Sequence, residues 1–309
     1  MLSLLSETTR QRVKTFSAEF AAAQPFRHVV INEFLDATFC RNLSESFPPF
    51  DPERARNEHG VTGRKAVCPA LPKLGPEFAT FDRLLRDPSF LDFISRITGI
   101  PHLLYDPDYE GGGTHENLNG AELDSHVDFN YHPRRQWHRR LNLIVFLNED
   151  WQEVWGGCLE LLRDPWATST GDRRVIVPRL NRAVIFETTE KSWHGFRHIQ
   201  LPIGKNVSRR SIAVYFYTKD RDSMEIAPSH GTIYYQRSLP DRIQAGYTLQ
   251  ADDVRELQDL LARRDHHMKF LYEREQEFSS VLSGITRSPS FRVGRSLTWP
   301  LRALLRKWR

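Results

Sequence analysis

Three cysteines in 309 residues, Cys40, Cys68 and Cys158, are too few and too scattered for a disulfide scaffold or a cysteine zinc cage. They suit a reducing compartment. No apolar run approaches the ~18 residues that would suggest a membrane-spanning helix, and mean hydropathy is −0.52. The start, MLSLLSETTRQR, lacks a basic segment followed by an apolar one, so no signal peptide is expected. The chain also lacks internal repeats and low-complexity tracts. These absences point to a cytoplasmic protein. Asp and Glu are missing from 281–309, which holds seven of the 43 basic residues. The remaining 36 face all 39 acidic residues, so the pI near 9.0 belongs to the tail, and a nucleic-acid-binding body is not expected.

What is present is a substantial core composition, 39% hydrophobic and 11% aromatic. Residues 4–23 read as a helix ended by Pro25, 26–35 as a strand, 37–46 as a second helix, and 78–98 as a third, stopped by Gly99 and Pro101. Residues 48–75 read as a long excursion. Beyond Pro101 the pattern changes to short β-branched or aromatic segments: 126–131, 140–147, 157–162, 173–177, 182–187 and 211–217. Turn formers separate them at intervals of roughly ten residues, the pattern of a β-sandwich, jelly roll or barrel. The expected organisation is an N-terminal helix over 1–25 and a main domain over 26–219 with its β-core at about 101–219. An irregular connector over 220–250 follows, then a helical extension over 251–309 ending in a basic amphipathic tail.

Three features carry chemistry. His126 and Asp128 stand two apart, so on a strand both project to one face and can converge on a metal. His194 follows the apolar strand RAVIF in a short turn and would complete a two-histidine, one-carboxylate facial triad, which suits non-haem Fe(II). Arg209 and Ser211 share a strand face and offer a guanidinium beside a hydroxyl, a seat for a carboxylate. Arg210 is the alternative, with Arg209 preferred for the Arg-x-Ser spacing. The chain holds twelve histidines, so none is informative alone. Their order and context, with strands between, carry the reading.

On these residues, and on RRLNLIVFLNEDWQEVWGGCLEL, the chain over roughly 26–219 resembles the prolyl-4-hydroxylase-like branch of the Fe(II)/2-oxoglutarate oxygenase superfamily. The resemblance implies an α+β fold with a mainly β core, a double-stranded β-helix (jelly roll) with N-terminal supporting helices. It implies Fe(II) held by His126, Asp128 and His194, 2-oxoglutarate anchored by Arg209 and Ser211, and O2 as co-substrate. Asn142, Tyr131 and Tyr215 are further candidates, either for contacts to 2-oxoglutarate or for support behind the metal ligands. His194 and Arg209 lie 15 residues apart, longer than is usual in that branch, so IQLPIGKNVS is expected to form an extended loop.

The segment from Gly111 to Asn117 precedes the first ligand, and Thr114, His115, Glu116 and Asn117 are expected to wall the substrate pocket. His115 and Glu116 are discounted as a metal pair because adjacent strand residues face opposite ways. The tail, 285–309, suits a peripheral membrane contact at the inner face or a protein partner. It resembles tails on bacterial cell-surface polysaccharide enzymes, which turns the substrate expectation towards sugar-linked groups, beside small-molecule and peptidyl ones. In 251–280 the apolar positions Val254, Leu257, Leu261, Met268 and Leu271 form a stripe, with Leu260 at its edge, suited to a homo-oligomer or a recruited partner. The competing class is a catalytically silent jelly-roll module that binds metal or carbohydrate.

Overall fold

The computed structural model describes residues 1–55, 63–166, 173–235, 239–240 and 242–298. The chain divides into two compact units, 1–235 and 236–309.

Eight successive strands build the core of the first unit. They are β4 (Gly113–Asn117), β5 (Leu123–Val127), β6 (His138–Phe146), β7 (Leu159–Leu162), β8 (Arg173–Ile176), β9 (Arg182–Glu187), β10 (Trp193–Phe196) and β11 (Arg209–Thr218). Four earlier and later strands extend them: β1 (His28–Ile31), β2 (Lys65–Cys68), β3 (Leu104–Tyr105) and β12 (Ile233–Tyr234). Among the described residues they form two sheets, paired antiparallel throughout. The larger runs β1-β9-β6-β11-β4-β2, with β3 also on β11; the smaller runs β12-β5-β10-β7-β8. From β4 to β11 the chain crosses between the sheets at each step except β7 to β8. That winding is a double-stranded β-helix, the expected fold class, and the core is mainly β.

The long apolar stretches of β6 (LNLIVF) and β9 (AVIF) follow from burial on both sides. On the outer side, Leu141, Leu143, Val145, Ala183 and Ile185 join the helical core. On the inner side, Phe146, Val184 and Phe186 meet Leu159 and Leu161 of the small sheet. The helices are α1 (Glu7–Gln11), α2 (Val13–Ala22), α3 (Ala37–Glu45), α4 (Pro76–Arg86) and α5 (Pro88–Thr98). They bury Phe20, Phe78, Phe81 and Phe90, each contributing roughly 1.5–3 kcal/mol.

Two expected helices are each divided. In 4–23, Ser6 accepts from Thr9 N and caps α1, and Arg12 leaves helical geometry before α2. In 78–98, Asp87 accepts from Ser89 N to cap α5, and the ring of Pro88 disfavours helical geometry at Asp87. The excursion 48–75 contains strand β2, His194 lies within strand β10 rather than a turn, and 220–250 contributes β12. Strand β4 had no expected strand assigned to it.

In the second unit, α6 (Ala251–Arg287) begins at a capping box between Gln250 and Asp253. Asp253 also accepts from Tyr247 Oη at 2.8 Å and Arg242 Nε at 2.9 Å, which ties the preceding loop to the helix start. Ser288 then caps α7 (Pro289–Leu297). The end of the basic tail, 299–309, lies outside the described residues. No described helix is long and apolar enough to cross a membrane.

Candidate metal centre

Pairing of β10 with β5 sets His194 directly opposite His126, with ring centroids 4.3 Å apart. Gly195 permits the approach, since a Cβ there would lie 2.5 Å from the Leu123 carbonyl oxygen. Asp128, one residue beyond the end of β5, turns its carboxylate between the rings: Oδ1 lies 3.7 Å from His126 Nε2 and Oδ2 3.4 Å from His194 Nε2. One donor atom from each of the three lies within 4.8 Å of the others.

The imidazoles are held in one tautomer. His126 Nδ1 donates to the Asp124 carbonyl at 2.9 Å, and His194 Nδ1 donates to the Ser192 carbonyl at 3.0 Å. A carbonyl can only accept, so the proton sits on Nδ1 and each Nε2 presents a lone pair. Burial disfavours the charged form of both rings, holding His126 at about 3 and His194 below its usual value. Burial raises the Asp128 carboxyl, but Arg139, the two imidazoles and the Asn142 amide together bring it well below the carboxylate range. The centre thus combines two neutral nitrogens with an ionised carboxylate, a donor set that fits Fe(II).

Behind Asp128, Asn142 Nδ2 donates to Oδ2 at 2.8 Å, and Arg139 Nη2 reaches the same oxygen at 3.0 Å. Arg139 also donates to Asn142 Oδ1 from Nε (3.2 Å) and Nη2 (2.9 Å), so the amide is fixed with its NH2 towards the carboxylate. The guanidinium stacks on Tyr215, 3.5 Å from the ring centroid. Asn142, a candidate for a contact behind the metal ligands or with the cofactor, lines the cavity and lies against the Asp128 carboxylate.

All three candidate ligands line a cavity of about 210 Å³, and Arg209, Ser211, His115, Asn117 and Tyr215 line it too. Register explains the grouping. Arg209 pairs with Asn117, and Asn117 with Lys65, a row across β11, β4 and β2; Ser211 pairs with His115. Alternation sends 209, 211, 213 and 215 inward. Arg209 is 4% exposed. Its one hydrogen bond among the described residues runs from Nε to the Gly157 carbonyl, 2.6 Å. Gly157 has φ +66, and a Cβ there would lie 2.9 Å from Ile199 Cγ1 and 3.3 Å from Arg209 Cδ. Burial lowers the Arg209 pKa to about 10, so the group still carries its charge at neutral pH. No described carboxylate pairs with it. A buried cation without an internal counter-ion is costly unless an anion joins it.

Arg210 faces the other way, donating to Glu116 at 3.2 Å and to Ser208 at 3.1 Å. Of the expected substrate wall, His115 and Asn117 face the cavity. Thr114 and Glu116 do not line it, because strand alternation turns them outward. Burial first, then the charges of Lys65 and Arg209, lower the His115 pKa to about 3. Tyr131 lies outside the cavity, its ring against His138 and its hydroxyl 3.4 Å from the Ala227 carbonyl.

Lys65, Arg139 and Tyr234 were not singled out from sequence. Lys65 sits in the Pro- and charge-rich excursion and Tyr234 in the irregular connector; Tyr234 pairs with His126 through β12, rings 5.3 Å apart. Only Arg139 left a signal, a basic residue at the head of an apolar strand.

A second cluster, Asp106, Asp108 and His132, has donor atoms equally close together. Here Arg134 N–H donates to His132 Nδ1 at 3.2 Å, so the proton sits on Nε2, which donates to Asp106 at 3.2 Å. Asp106 is further occupied by the N–H groups of Asp108 and Glu110. This cluster fastens a loop and offers no bare nitrogen.

Comparison with known proteins agrees with the first cluster. Residues 113–217, the span of β4 to β11, match the family model of the 2OG-Fe(II) oxygenase superfamily. No curated protein matches the chain. Solved structures similar to it include a Pseudomonas putida prolyl-4-hydroxylase (16% identity, 67% of this chain and 99% of that one, TM-score 0.43). A prolyl 4-hydroxylase from Phytophthora capsici is also similar (15%, 97% and 92%, 0.47), as is HygX from Streptomyces hygroscopicus with nickel and 2-oxoglutarate bound (13%, 75% and 97%, 0.44). Residues 113–217, which contribute His126, Asp128, His194 and Arg209, are thus similar to the 2OG-Fe(II) oxygenase superfamily, a family whose cofactors are Fe(II) and 2-oxoglutarate.

Proposed function

We propose that the protein is an Fe(II)- and 2-oxoglutarate-dependent dioxygenase that hydroxylates a small-molecule, sugar-linked or peptidyl substrate with release of succinate and CO2. One observation carries the reading: a buried arginine with no carboxylate partner among the described residues shares a cavity with a facial triad whose nitrogens are bare. A silent binding module needs no such cation.

His126, Asp128 and His194 would hold the metal through two Nε2 atoms and one carboxylate oxygen. Bound Fe(II) supplies the electron chemistry that couples O2 and 2-oxoglutarate to oxidation of the substrate. Arg209 would receive a carboxylate of 2-oxoglutarate, with Ser211 adding a hydroxyl. Lys65 adds a second positive charge in the same cross-strand row. Asn142 and Arg139 keep Asp128 ionised and turned to the metal. Phe186, whose ring lies 4.7 Å from that of His194, keeps water from one side of the centre.

The test is anaerobic visible spectroscopy with Fe(II) and 2-oxoglutarate, beside His126→Ala. Chelation is expected to give a broad charge-transfer band in the wild type and none in the variant, with succinate formed in air only by the wild type. A folded wild-type protein with neither band nor succinate would leave the silent metal- or carbohydrate-binding module as the better reading.

A further inference from the structure

The apolar stripe on α6 is longer than a surface helix needs. From Val254 to Ile285 its positions alternate in steps of three and four through ten places. Eight are apolar; the other two are Arg264 and Glu275. Leu261 is 61% exposed, Met268 67% and Phe278 72%. Spacing of 3.5 residues sustained over a helix about 55 Å long is that of a left-handed coiled-coil seam, not the 3.6 of a helix resting on a globular body. An exposed apolar strip of that length is a face for association.

The two charged positions say what the partner is. We propose that this face takes a second copy of the chain in an antiparallel coiled coil, its two-fold axis passing between Lys269 and Phe270. In that register Val254 meets the second copy's Ile285, Leu257 its Leu282, Leu261 its Phe278, and Met268 its Leu271. Arg264 meets Glu275, and by symmetry this happens twice. Every layer is then either apolar on both sides or an opposite-charge pair. In the parallel register Arg264 would meet Arg264 and Glu275 would meet Glu275, two like-charge layers inside the seam, which is costly. One pattern of ten positions thus fixes both the partner and its direction.

Sedimentation velocity of the full chain tests this with four proteins. The wild type is expected to dimerise at micromolar concentration. Arg264→Glu and Glu275→Arg each place like charges opposite one another and are expected to weaken the dimer by about 100-fold or more. The double variant Arg264→Glu/Glu275→Arg restores opposite charges only in the antiparallel register, so it should recover the wild-type dimer. Under mild oxidation, Leu257→Cys/Leu282→Cys should cross-link between copies while Leu257→Cys alone does not. A monomeric wild type overturns the proposal, including one that pellets with anionic vesicles and so assigns the face to a membrane. A double variant no better than the singles, or cross-linking by Leu257→Cys alone, overturns the antiparallel register.

Discussion

Two clusters of histidine and aspartate lie in the same unit, each with three donor atoms within 4.8 Å of one another, and only one is arranged to hold a metal. The difference lies on the far side of each imidazole. In His126 and His194 the Nδ1 atoms face carbonyls, which puts the protons there and frees Nε2. In His132 the Nδ1 atom accepts a backbone N–H, so Nε2 holds the proton and spends it on Asp106. The carboxylates differ likewise. Asp128 is oriented by side chains behind it, whereas Asp106 is consumed by the backbone of its own loop. Proximity of donor types does not make a metal site; the tautomer imposed by the second nitrogen does.

The largest effect separates the clusters directly. His126→Ala is expected to abolish the Fe(II)–2-oxoglutarate band and reduce turnover to background. His132→Ala is expected to keep one iron per chain and near-normal turnover while losing about 1–3 kcal/mol of stability in urea titration, the cost of an unmet buried partner. A second equivalent of iron, lost in His132→Ala, would break the comparison.

The same reasoning separates the adjacent arginines. Arg209→Met is expected to raise KM for 2-oxoglutarate by about 30- to 1,000-fold, the equivalent of ~2–4 kcal/mol, within the range for loss of a buried charge partner. Arg210→Met, which removes a partly exposed pair with Glu116, should change it by about two-fold at most. Equal effects would mean that strand alternation does not decide which cation serves the cavity.

Asn142→Ala should lower iron affinity by about 10- to 100-fold, as a group that orients a metal ligand, whereas Asp108→Asn in the other cluster should leave it unchanged. Calorimetric or competition titration with Fe(II) under argon reads both.

The smallest effect is on pH dependence. His115 is held neutral in the folded protein down to about pH 3, below its ordinary 6.5. Between those values the unfolded chain binds the proton and the folded chain does not. Stability is therefore present above about 6.5 and is lost as pH falls towards 3. In the metal-free protein, His115→Gln should flatten the fall in urea midpoint across this window by up to about 1 kcal/mol per pH unit, less in proportion to solvent screening. An unchanged slope would place His115 in water rather than in the cavity wall.

Much of the centre was legible because its signals are local. His126 and Asp128 are separated by the period of a strand, and Arg209 with Ser211 by the same period. His194 follows an apolar strand that could only be core. Helix boundaries were less legible, because the cap at Ser6 and the Asp87-Pro88 break act against a continuous apolar periodicity. Strand β4 was hidden by its polar composition, GTHEN, which makes sense only once its inward residues face a cavity rather than a core. Tyr131 looked equivalent to its neighbours in sequence, but its ring turns to His138.

By itself the sequence determined the mainly β core, the order of the candidate metal ligands, the opposite facing of Arg209 and Arg210 and the apolar stripe of α6, since each depends on spacing along one strand or helix. Tertiary structure alone decided which histidine nitrogen is free, that Lys65 joins the Arg209 row, that Arg139 and Asn142 orient Asp128, and that Tyr234 lies against His126. Those facts depend on pairing between segments tens of residues or more apart, on hydrogen bonds to particular carbonyls, and on burial that only sheet closure creates.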